Sequence, residues 1–87
     1  MSYELLQLPT AKRQLRQLSK SHNPFFKQII SGIEALRAEP RPPRAEKLAA
    51  RPEWRIRIAD YRVLYLVNDE KKTVTISFVA HRRDVYR

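Results

Sequence analysis

Arginines recur at short intervals in the stretch WRIRIADYR, residues 54–62. Arg55 and Arg57 alternate with apolar residues, and Arg62 follows after a short break. A second stretch, HRRDVYR at residues 81–87, combines a histidine, three arginines and a tyrosine. Guanidinium groups bind phosphate oxygens in bidentate geometry and remain charged at physiological pH. These residue types therefore indicate a site for phosphate or another anion.

The composition limits the classes of protein that fit the sequence. The chain has 87 residues, 43% of them hydrophobic, and 18 Lys and Arg against 9 Asp and Glu, which gives a net charge of +9. This size and hydrophobic share predict one folded domain over residues 1–87. The positive charge predicts a polyanionic partner.

Other features of the sequence argue against disulfides, metal sites and cofactors, and against insertion in a membrane or secretion. The chain has no cysteine and only two histidines, so we expect no disulfide framework, no closed metal site and no cofactor. No apolar stretch approaches the roughly 20 residues of a membrane span, and the N-terminus lacks the apolar core of a signal peptide. We therefore expect a cytoplasmic protein that does not bind membranes.

The first half of the chain predicts a strand followed by two helices. YELLQL at residues 3–8 is a short apolar run that ends at Pro9. A helix is predicted from Thr10 to about residue 20, and a second helix starts with Asn23 as its cap and Pro24 in its first position. Gly32 lies inside the second helix, which predicts close packing against a neighbour.

The second half predicts three strands after a loop. EPRPPRAEKLAARPE at residues 39–53 is polar and rich in proline, and we expect no stable element there. WRIRI, YRVLYLV and TVTISFVAH are typical of strands, joined by short turns. The predicted fold is α+β, with two N-terminal helices on one face of a mostly antiparallel four-stranded sheet, in the order strand, helix, helix, strand, strand, strand.

The alternation of residues along the strands predicts where the arginines lie. The apolar residues of WRIRI should meet the helices, while Arg55 and Arg57 face away from them. A two-residue turn at residues 59–60 would place Arg57 directly opposite Arg62, so that the three arginines form a cluster. A three-residue loop would turn Arg62 toward the core, where its charge is hard to satisfy, so the sequence favours the clustered register.

The same alternation predicts the faces of the last strand. Its apolar residues at positions 74, 76, 78 and 80, including Phe78, should face the core, which leaves His81 on the arginine face. Arg82, Arg83 and Tyr86 follow at the rim of the same face. Like charges in cross-strand contact destabilise a sheet, so the cluster favours a bound anion.

Each of these residues also has an interpretation without a specific function. An exposed arginine on a strand is usually only solvated, Tyr86 could pack on the sheet edge, and His81 could serve as a surface or capping residue. The cluster as a whole is harder to explain in this way, because its members repel one another.

The motifs WRIRIADYRVLY and HRRDVYR resemble the C-terminal half of toxins of the RelE/ParE superfamily, from bacterial toxin–antitoxin pairs. The order of elements and the chain length agree with this resemblance. Within the superfamily the sequence is similar to the RelE branch. The resemblance implies a RelE-like fold and a metal-independent, ribosome-dependent endoribonuclease that cleaves messenger RNA in the A site. It also implies partners, namely the ribosome, messenger RNA and a cognate acidic antitoxin in a hetero-oligomeric complex.

The resemblance also implies which residues bind RNA. Arg55 and Arg57 match two basic strand positions that hold RNA phosphates in the family. Arg83 is a further RNA-binding candidate in the second motif.

The resemblance implies that four residues lie near the bond that is cleaved. Arg62 and Arg82 match the arginines at the scissile phosphate, and Tyr86 matches a tyrosine proposed as general base. His81 stands where some relatives have lysine, and an imidazole pKa of about 6.5 suits a general acid. Cleavage by attack of the ribose 2′-OH needs a base, charge stabilisation at the phosphorane and a proton for the leaving 5′-oxygen.

Two other functions fit the same fold. One is a ParE-like toxin that poisons DNA gyrase by binding and has no nuclease activity. The other is a nucleic-acid-binding module without catalysis. The tyrosine and arginines of HRRDVYR, together with the arginines of the first motif, favour the nuclease.

Overall fold

Two helices cover one face of a five-stranded sheet in the computed structural model, which describes residues 2–85. The strands lie in the order β1-β5-β4-β3-β2, with β1 parallel to β5 and all other pairs antiparallel. The elements are β1 (Glu4–Gln7), α1 (Pro9–Lys20), α2 (Phe26–Ala35), β2 (Glu46–Lys47), β3 (Trp54–Ile58), β4 (Tyr61–Asn68), β5 (Thr73–His81) and α3 (Arg82–Val85). The predicted α+β class is confirmed. No helix in the described part is long and apolar enough to cross a bilayer.

The sheet has one strand more than predicted. β2 is only two residues long and lies in the proline-rich connection, for which we expected no element. Glu46 of β2 pairs with Arg55 of β3, and the backbone N–H of Leu48 donates to the carbonyl oxygen of Glu53 at 3.1 Å. The chain therefore turns back along β3 through long-range pairing, which local composition does not indicate.

The first helix starts one residue earlier than predicted, because Pro9 fits the first helical position. Its inner side buries Ala11 and Leu15 against the sheet. The side chain of Gln14 accepts a hydrogen bond from the backbone N–H of Val79 at 2.7 Å, which ties the helix to β5.

The second helix starts later than predicted, at Phe26. Asn23 does not cap it directly but forms a local turn, in which its Oδ1 accepts a hydrogen bond from the N–H of Phe25 at 2.8 Å. Gly32 packs as predicted: a Cβ at this position would lie 2.6 Å from Cδ1 of Ile58. The helix and the sheet therefore approach each other more closely than a side chain at this position would permit.

The hairpin of β3 and β4 has the predicted register. Ile58 pairs with Tyr61 and Arg57 pairs with Arg62 across a two-residue turn, where Ala59 has a φ of 55°. The sheet thus has a helix face, which buries the apolar residues of the core, and an open face, which includes Arg57 and Arg62. The core residues of the helix face are Ile56, Ile58, Val63, Tyr65, Val74, Ile76 and Val79.

A β-bulge in β5 overturns the predicted faces of the end of that strand. Tyr65 pairs with Ile76, but the preceding residue Leu64 pairs with Phe78, so Ser77 is an extra residue. Beyond the bulge the alternation is reversed. Phe78 therefore lies on the open face and not in the core, and His81, paired with Tyr61, lies on the helix face and not on the arginine face.

A cluster at the other end of the sheet joins three segments. Tyr3 Oη donates to Asp69 Oδ1 at 2.6 Å, and the Arg41 guanidinium binds both oxygens of Asp69 at 3.2 and 2.7 Å. These hydrogen bonds, that of Arg41 first, lower the pKa of Asp69 to about 2. Arg41 also lies 5.6 Å from the centroid of the Trp54 ring. The cluster links the N-terminal segment, the proline-rich connection and the β4–β5 loop.

Candidate nucleic-acid interface

Among the described residues, Arg62 is the most buried cation on the open face. Only 8% of the residue is exposed, whereas Arg57, its cross-strand partner, is exposed. The Nε atom of Arg62 is buried and has no hydrogen-bond partner within residues 2–85. Its Nη1 lies 3.5 Å from the carbonyl oxygen of Tyr61, beyond the usual distance for a strong hydrogen bond. The structure therefore presents a guanidinium with unused donors.

The electrostatic environment of Arg62 disfavours the charged form of its guanidinium. Burial lowers the pKa of Arg62 most, and the positive charges of Arg57, Arg55 and Arg82 lower it further. Asp60 has the opposite and smaller effect. The predicted cluster of Arg55, Arg57 and Arg62 is thus brought together, and Arg82 is close enough to act on it. Like charges gathered in this way form a favourable place for an anion.

Arg55 has an acidic neighbour that the sequence did not indicate. Its Nη2 lies 2.7 Å from Oε2 of Glu46, which stands directly opposite on β2. The Arg55 side chain is 13% exposed and that of Glu46 is 55% exposed. Because β2 was not predicted, this pair could not be found from the alternation pattern.

The short helix α3 is fixed to the turn between β3 and β4. The backbone N–H of Arg82 donates to the carbonyl oxygen of Asp60 at 2.8 Å, which holds Arg82 beside the arginine cluster. Arg82 and Arg83 are both exposed. Tyr86 follows α3 in the sequence and lies outside the described residues.

His81 lies apart from the arginines. Its ring meets the ring of Tyr61 edge to face, with centroids 5.4 Å apart, and its Nδ1 accepts a hydrogen bond from the N–H of Arg83 at 3.3 Å. Tyr61 Oη in turn accepts a hydrogen bond from Asn23 at 2.7 Å. The predicted position of His81 on the arginine face is wrong, because the bulge reverses the end of β5.

A cleft of about 430 Å³ lies beside the arginine cluster and was not predicted. It adjoins the cluster because Leu64, one of its lining residues, stands directly opposite Arg55. The side chain of Glu53, which is 11% exposed, pairs there with Arg51 at 2.5 Å. The cleft is lined by Thr10, Arg51, Glu53, Leu64, Ser77, Phe78 and Asp84.

The alternation of β3 could have indicated the face of Glu53, since it stands two residues before Arg55. The bulge that brings Phe78 into the cleft leaves no such signal.

Among residues 2–85, no group of three or more His, Cys, Asp or Glu side chains is arranged to hold a metal ion.

Solved structures similar to this chain are toxins and toxin–antitoxin complexes. The RelBE2 toxin–antitoxin complex of Mycobacterium tuberculosis matches with 27% identity and a TM-score of 0.77, over 94% of this chain and 100% of the other. The RelE–RelB complex of Pyrococcus horikoshii matches with 26% identity and a TM-score of 0.76, over 98% and 100%. The YoeB/ParE toxin of Agrobacterium tumefaciens shares the fold, at 14% identity and a TM-score of 0.79, over 90% and 96%.

The fold is therefore RelE-like, as the sequence predicted. None of the curated proteins compared with the sequence matches it. The family model described as "ParE toxin of type II toxin-antitoxin system, parDE" matches residues 5–86, nearly the whole chain. The chain belongs to this ParE toxin family, within the RelE/ParE superfamily of type II toxin–antitoxin systems.

Proposed function

We propose that this toxin is a ribosome-dependent endoribonuclease, which cleaves messenger RNA in the A site without a metal ion and thereby inhibits translation. The observation that carries the proposal is Arg62, a nearly buried guanidinium whose Nε has no hydrogen-bond partner within residues 2–85 and whose pKa three further arginines lower. A scissile phosphate would supply the missing negative charge and the missing hydrogen-bond acceptors.

The arginines would act on the charge of the transition state. Attack of the ribose 2′-OH on the adjacent phosphorus forms a phosphorane, whose extra negative charge Arg62 and Arg82 would stabilise. Arg62 is already held by its burial, so little reorganisation would be needed at the moment of reaction. Arg55, Arg57 and Arg83 would bind the neighbouring phosphates.

The proton transfers would require two further groups. Tyr86 is proposed as the base that removes the proton of the 2′-OH, a role in which cations placed beside its hydroxyl would favour the phenolate form. His81 remains the candidate acid for the leaving 5′-oxygen. Its ring lies against Tyr61 on the helix face, on the opposite side of the sheet from Arg57 and Arg62. Replacement of His81 by Gln would test its role separately.

The partner would be an acidic antitoxin. Solved relatives are complexes of RelE with RelB, and the net charge of +9 favours a partner of opposite sign. The arginine cluster is a surface on which such a partner would block RNA. The toxin and its antitoxin would then form an inactive hetero-oligomer in the cytoplasm.

Cleavage of translated messages tests the enzyme. We expect Tyr86→Phe, and the double variant of Arg62→Ala with Arg82→Ala, to abolish cuts mapped by primer extension and to relieve growth arrest. Arg13→Ala with Arg16→Ala is the matched control, because it removes the same charge from exposed positions on α1. Full cleavage by Tyr86→Phe and by the double variant at Arg62 and Arg82 would reject the proposed site.

A second function is favoured by one observation, the match to a family model of ParE toxins. A ParE-like toxin would poison DNA gyrase by binding. Double-strand DNA breaks in cells that produce the protein, without cuts inside codons, would favour this function over the nuclease.

A further inference from the structure

The cleft beside the arginine cluster has the size of a ligand site, and its lining combines polar and charged groups with Leu64 and Phe78. Its volume of about 430 Å³ lies within the range of roughly 300–1,000 Å³ that small-molecule sites occupy. Leu64 joins the cleft to the cluster, because it faces Arg55 across the strands. An RNA whose phosphate binds at Arg62 would therefore have a base within reach of the cleft.

One wall of the cleft is an aromatic ring that a backbone irregularity brings there. Without the extra residue Ser77, Phe78 would continue the core side of β5, as Val74 and Ile76 do. With the bulge, Phe78 is half-buried on the open face opposite Leu64. Bulges often re-aim a side chain near a functional site. An aromatic ring at this position can stack on a nucleobase of any sequence.

A second wall of the cleft has a defined pattern of donors and acceptors. The Glu53 carboxylate is 11% exposed, and its Oε2 accepts a hydrogen bond from Nη2 of Arg51 at 2.5 Å. A carboxylate offers about four acceptor positions and an arginine five N–H donors. The bond between Arg51 and Glu53 therefore leaves acceptor positions on Glu53 and N–H donors on Arg51 for a ligand. The Arg51 side chain is 59% exposed, so its donors reach the solvent side of the cleft. The pair therefore presents a donor next to a buried acceptor group.

This pattern matches the Watson–Crick edge of guanine. Guanine offers the O6 acceptor beside two donors, N1–H and the 2-amino group, which Arg51 and Glu53 would bind respectively. Adenine and cytosine would direct a ring-nitrogen lone pair at the Glu53 carboxylate, and uracil would direct O2 at it. Polar groups left unpaired in a buried site are strongly unfavourable, so these three bases would be rejected.

We propose that the cleft is a guanine-binding subsite, in which Glu53 and Arg51 read the base edge and Phe78 contacts the base face. This inference rests on the proposed RNA-cleaving function and specifies the base that the enzyme prefers beside the scissile phosphate. Glu53 and Arg51 are specificity-determining residues in this arrangement, whereas the arginine cluster acts on the phosphates.

Cleavage rates on defined messages test the preference. Ribosomes would be programmed with messenger RNAs that differ at a single nucleotide. Each position of the A-site codon would be varied in turn, with guanosine, inosine or adenosine at that position. At one of the codon positions, we expect the wild-type protein to cut the message with guanosine faster than the message with adenosine. The message with inosine should be cut at an intermediate rate, because inosine lacks the 2-amino group. Glu53→Gln should lower the guanosine-to-adenosine ratio by about 10- to 100-fold, the value of one good bidentate base contact.

Two further variants separate recognition from folding. Arg51→Gln changes an exposed side chain and should also lower the ratio, which keeps the test valid if Glu53→Gln fails to fold. Glu70→Gln, an exposed carboxylate in the β4–β5 loop, is the matched control and should leave the ratio unchanged. A ratio unchanged in Arg51→Gln and in folded Glu53→Gln would overturn the subsite.

Binding of free nucleotides distinguishes failure of the subsite from failure of the nuclease. Guanosine 5′-monophosphate should shift the backbone NMR signals of Ser77 and Phe78 at lower concentration than adenosine 5′-monophosphate, and Glu53→Gln should remove this difference. If the difference is found but no message is cut, the guanine site holds and the nuclease proposal fails. If messages are cut but both nucleotides bind alike, the subsite is rejected and the nuclease remains.

Discussion

Replacement of Arg62 by methionine should make the protein more stable while it removes the proposed activity. The charged guanidinium is nearly buried, its Nε is unpartnered within the described residues, and three arginines repel it. Its lowered pKa means that folding disfavours the charged form, which is the form present at neutral pH. Methionine keeps an unbranched, flexible apolar chain at the site and adds no charge.

The size of the gain follows from the burial of Arg62. Exchanging buried ion pairs for apolar residues of similar volume often stabilises a protein by about 1–4 kcal/mol. Since Arg62 keeps 8% of its surface exposed and is attracted by Asp60, we expect the lower part of this range, about 1–2 kcal/mol. For a domain of this size the corresponding rise in Tm is about 4–15 °C.

Urea denaturation and thermal melts of the two proteins measure this gain. Arg57→Met is the control on the same face, and because Arg57 is exposed its effect should stay within about 0.5 kcal/mol. Inorganic phosphate, compared with sodium chloride at equal ionic strength, should stabilise the wild-type protein more than Arg62→Met. A free energy of unfolding for Arg62→Met below that of the wild-type protein, with an unchanged m-value, would refute the reasoning.

Two further predictions concern the helix–sheet contact and the N-terminal cluster. Gly32→Ala should lower the free energy of unfolding by about 1 kcal/mol, because overpacking against Ile58 costs about 1–3 kcal/mol and the gain in helix propensity is about 1 kcal/mol. Urea denaturation should show that Ile58→Val raises the free energy of unfolding of the Gly32→Ala protein, because it removes the Cδ1 atom that the new Cβ would meet. A Gly32→Ala protein more stable than the wild-type protein would contradict the close contact. The pKa of Asp69, about 2 when folded, lies below its unfolded value of about 3.9, so its contribution to stability is present above pH 4 or so and is lost as the pH falls toward 2. The difference in Tm between wild type and Asp69→Asn should therefore shrink between pH 5 and pH 2 or so, and a constant difference would contradict this assignment.

Alternation within the strands was sufficient to predict the register of the arginine hairpin. A two-residue turn places Ile56 and Ile58 of β3 on the same face as Tyr61, Val63 and Tyr65 of β4, whereas a shift by one residue would exchange the faces. The helices were predicted from their apolar spacing, with errors at the ends. Asn23 has two polar partners, Phe25 N–H and Tyr61 Oη, and the second is far away in sequence, so its role in the turn is set by tertiary structure.

The bulge explains why the faces of β5 were only partly predictable. TVTISFVAH alternates only as far as Phe78, where three consecutive apolar residues, FVA, fit either face, and no glycine marks Ser77 as an extra residue. The reversal places Val79 in the core beside Val63 and exchanges the sides of Phe78 and His81. This choice depends on how the strand fits β4 and Gln14 of α1, and local sequence carries little information about either contact.

The position of Glu46 could not be predicted from the sequence, whereas the alternation of β3, extended back by one residue, could have indicated the face of Glu53. Glu46 and Glu53 belong to a polar, proline-rich segment that resembles an ordinary loop. The position of Glu46 beside Arg55 depends on the pairing of β2 with β3. Long-range pairing of a two-residue strand has too weak a local signal to predict.

The parallel pairing of β1 with β5 has a consequence for the time at which the protein becomes active. Residues 4–7 bond to residues 73–76, so the first strand made must wait for the last strand before it can enter the sheet. Synthesis proceeds from the N-terminus at roughly 5–20 residues per second, and contacts this distant in sequence form late in folding. Arg82, which donates its backbone N–H to the carbonyl oxygen of Asp60, follows directly after β5, and β5 pairs with β4. The complete arginine cluster therefore cannot form before residues 55–82 have all been synthesised.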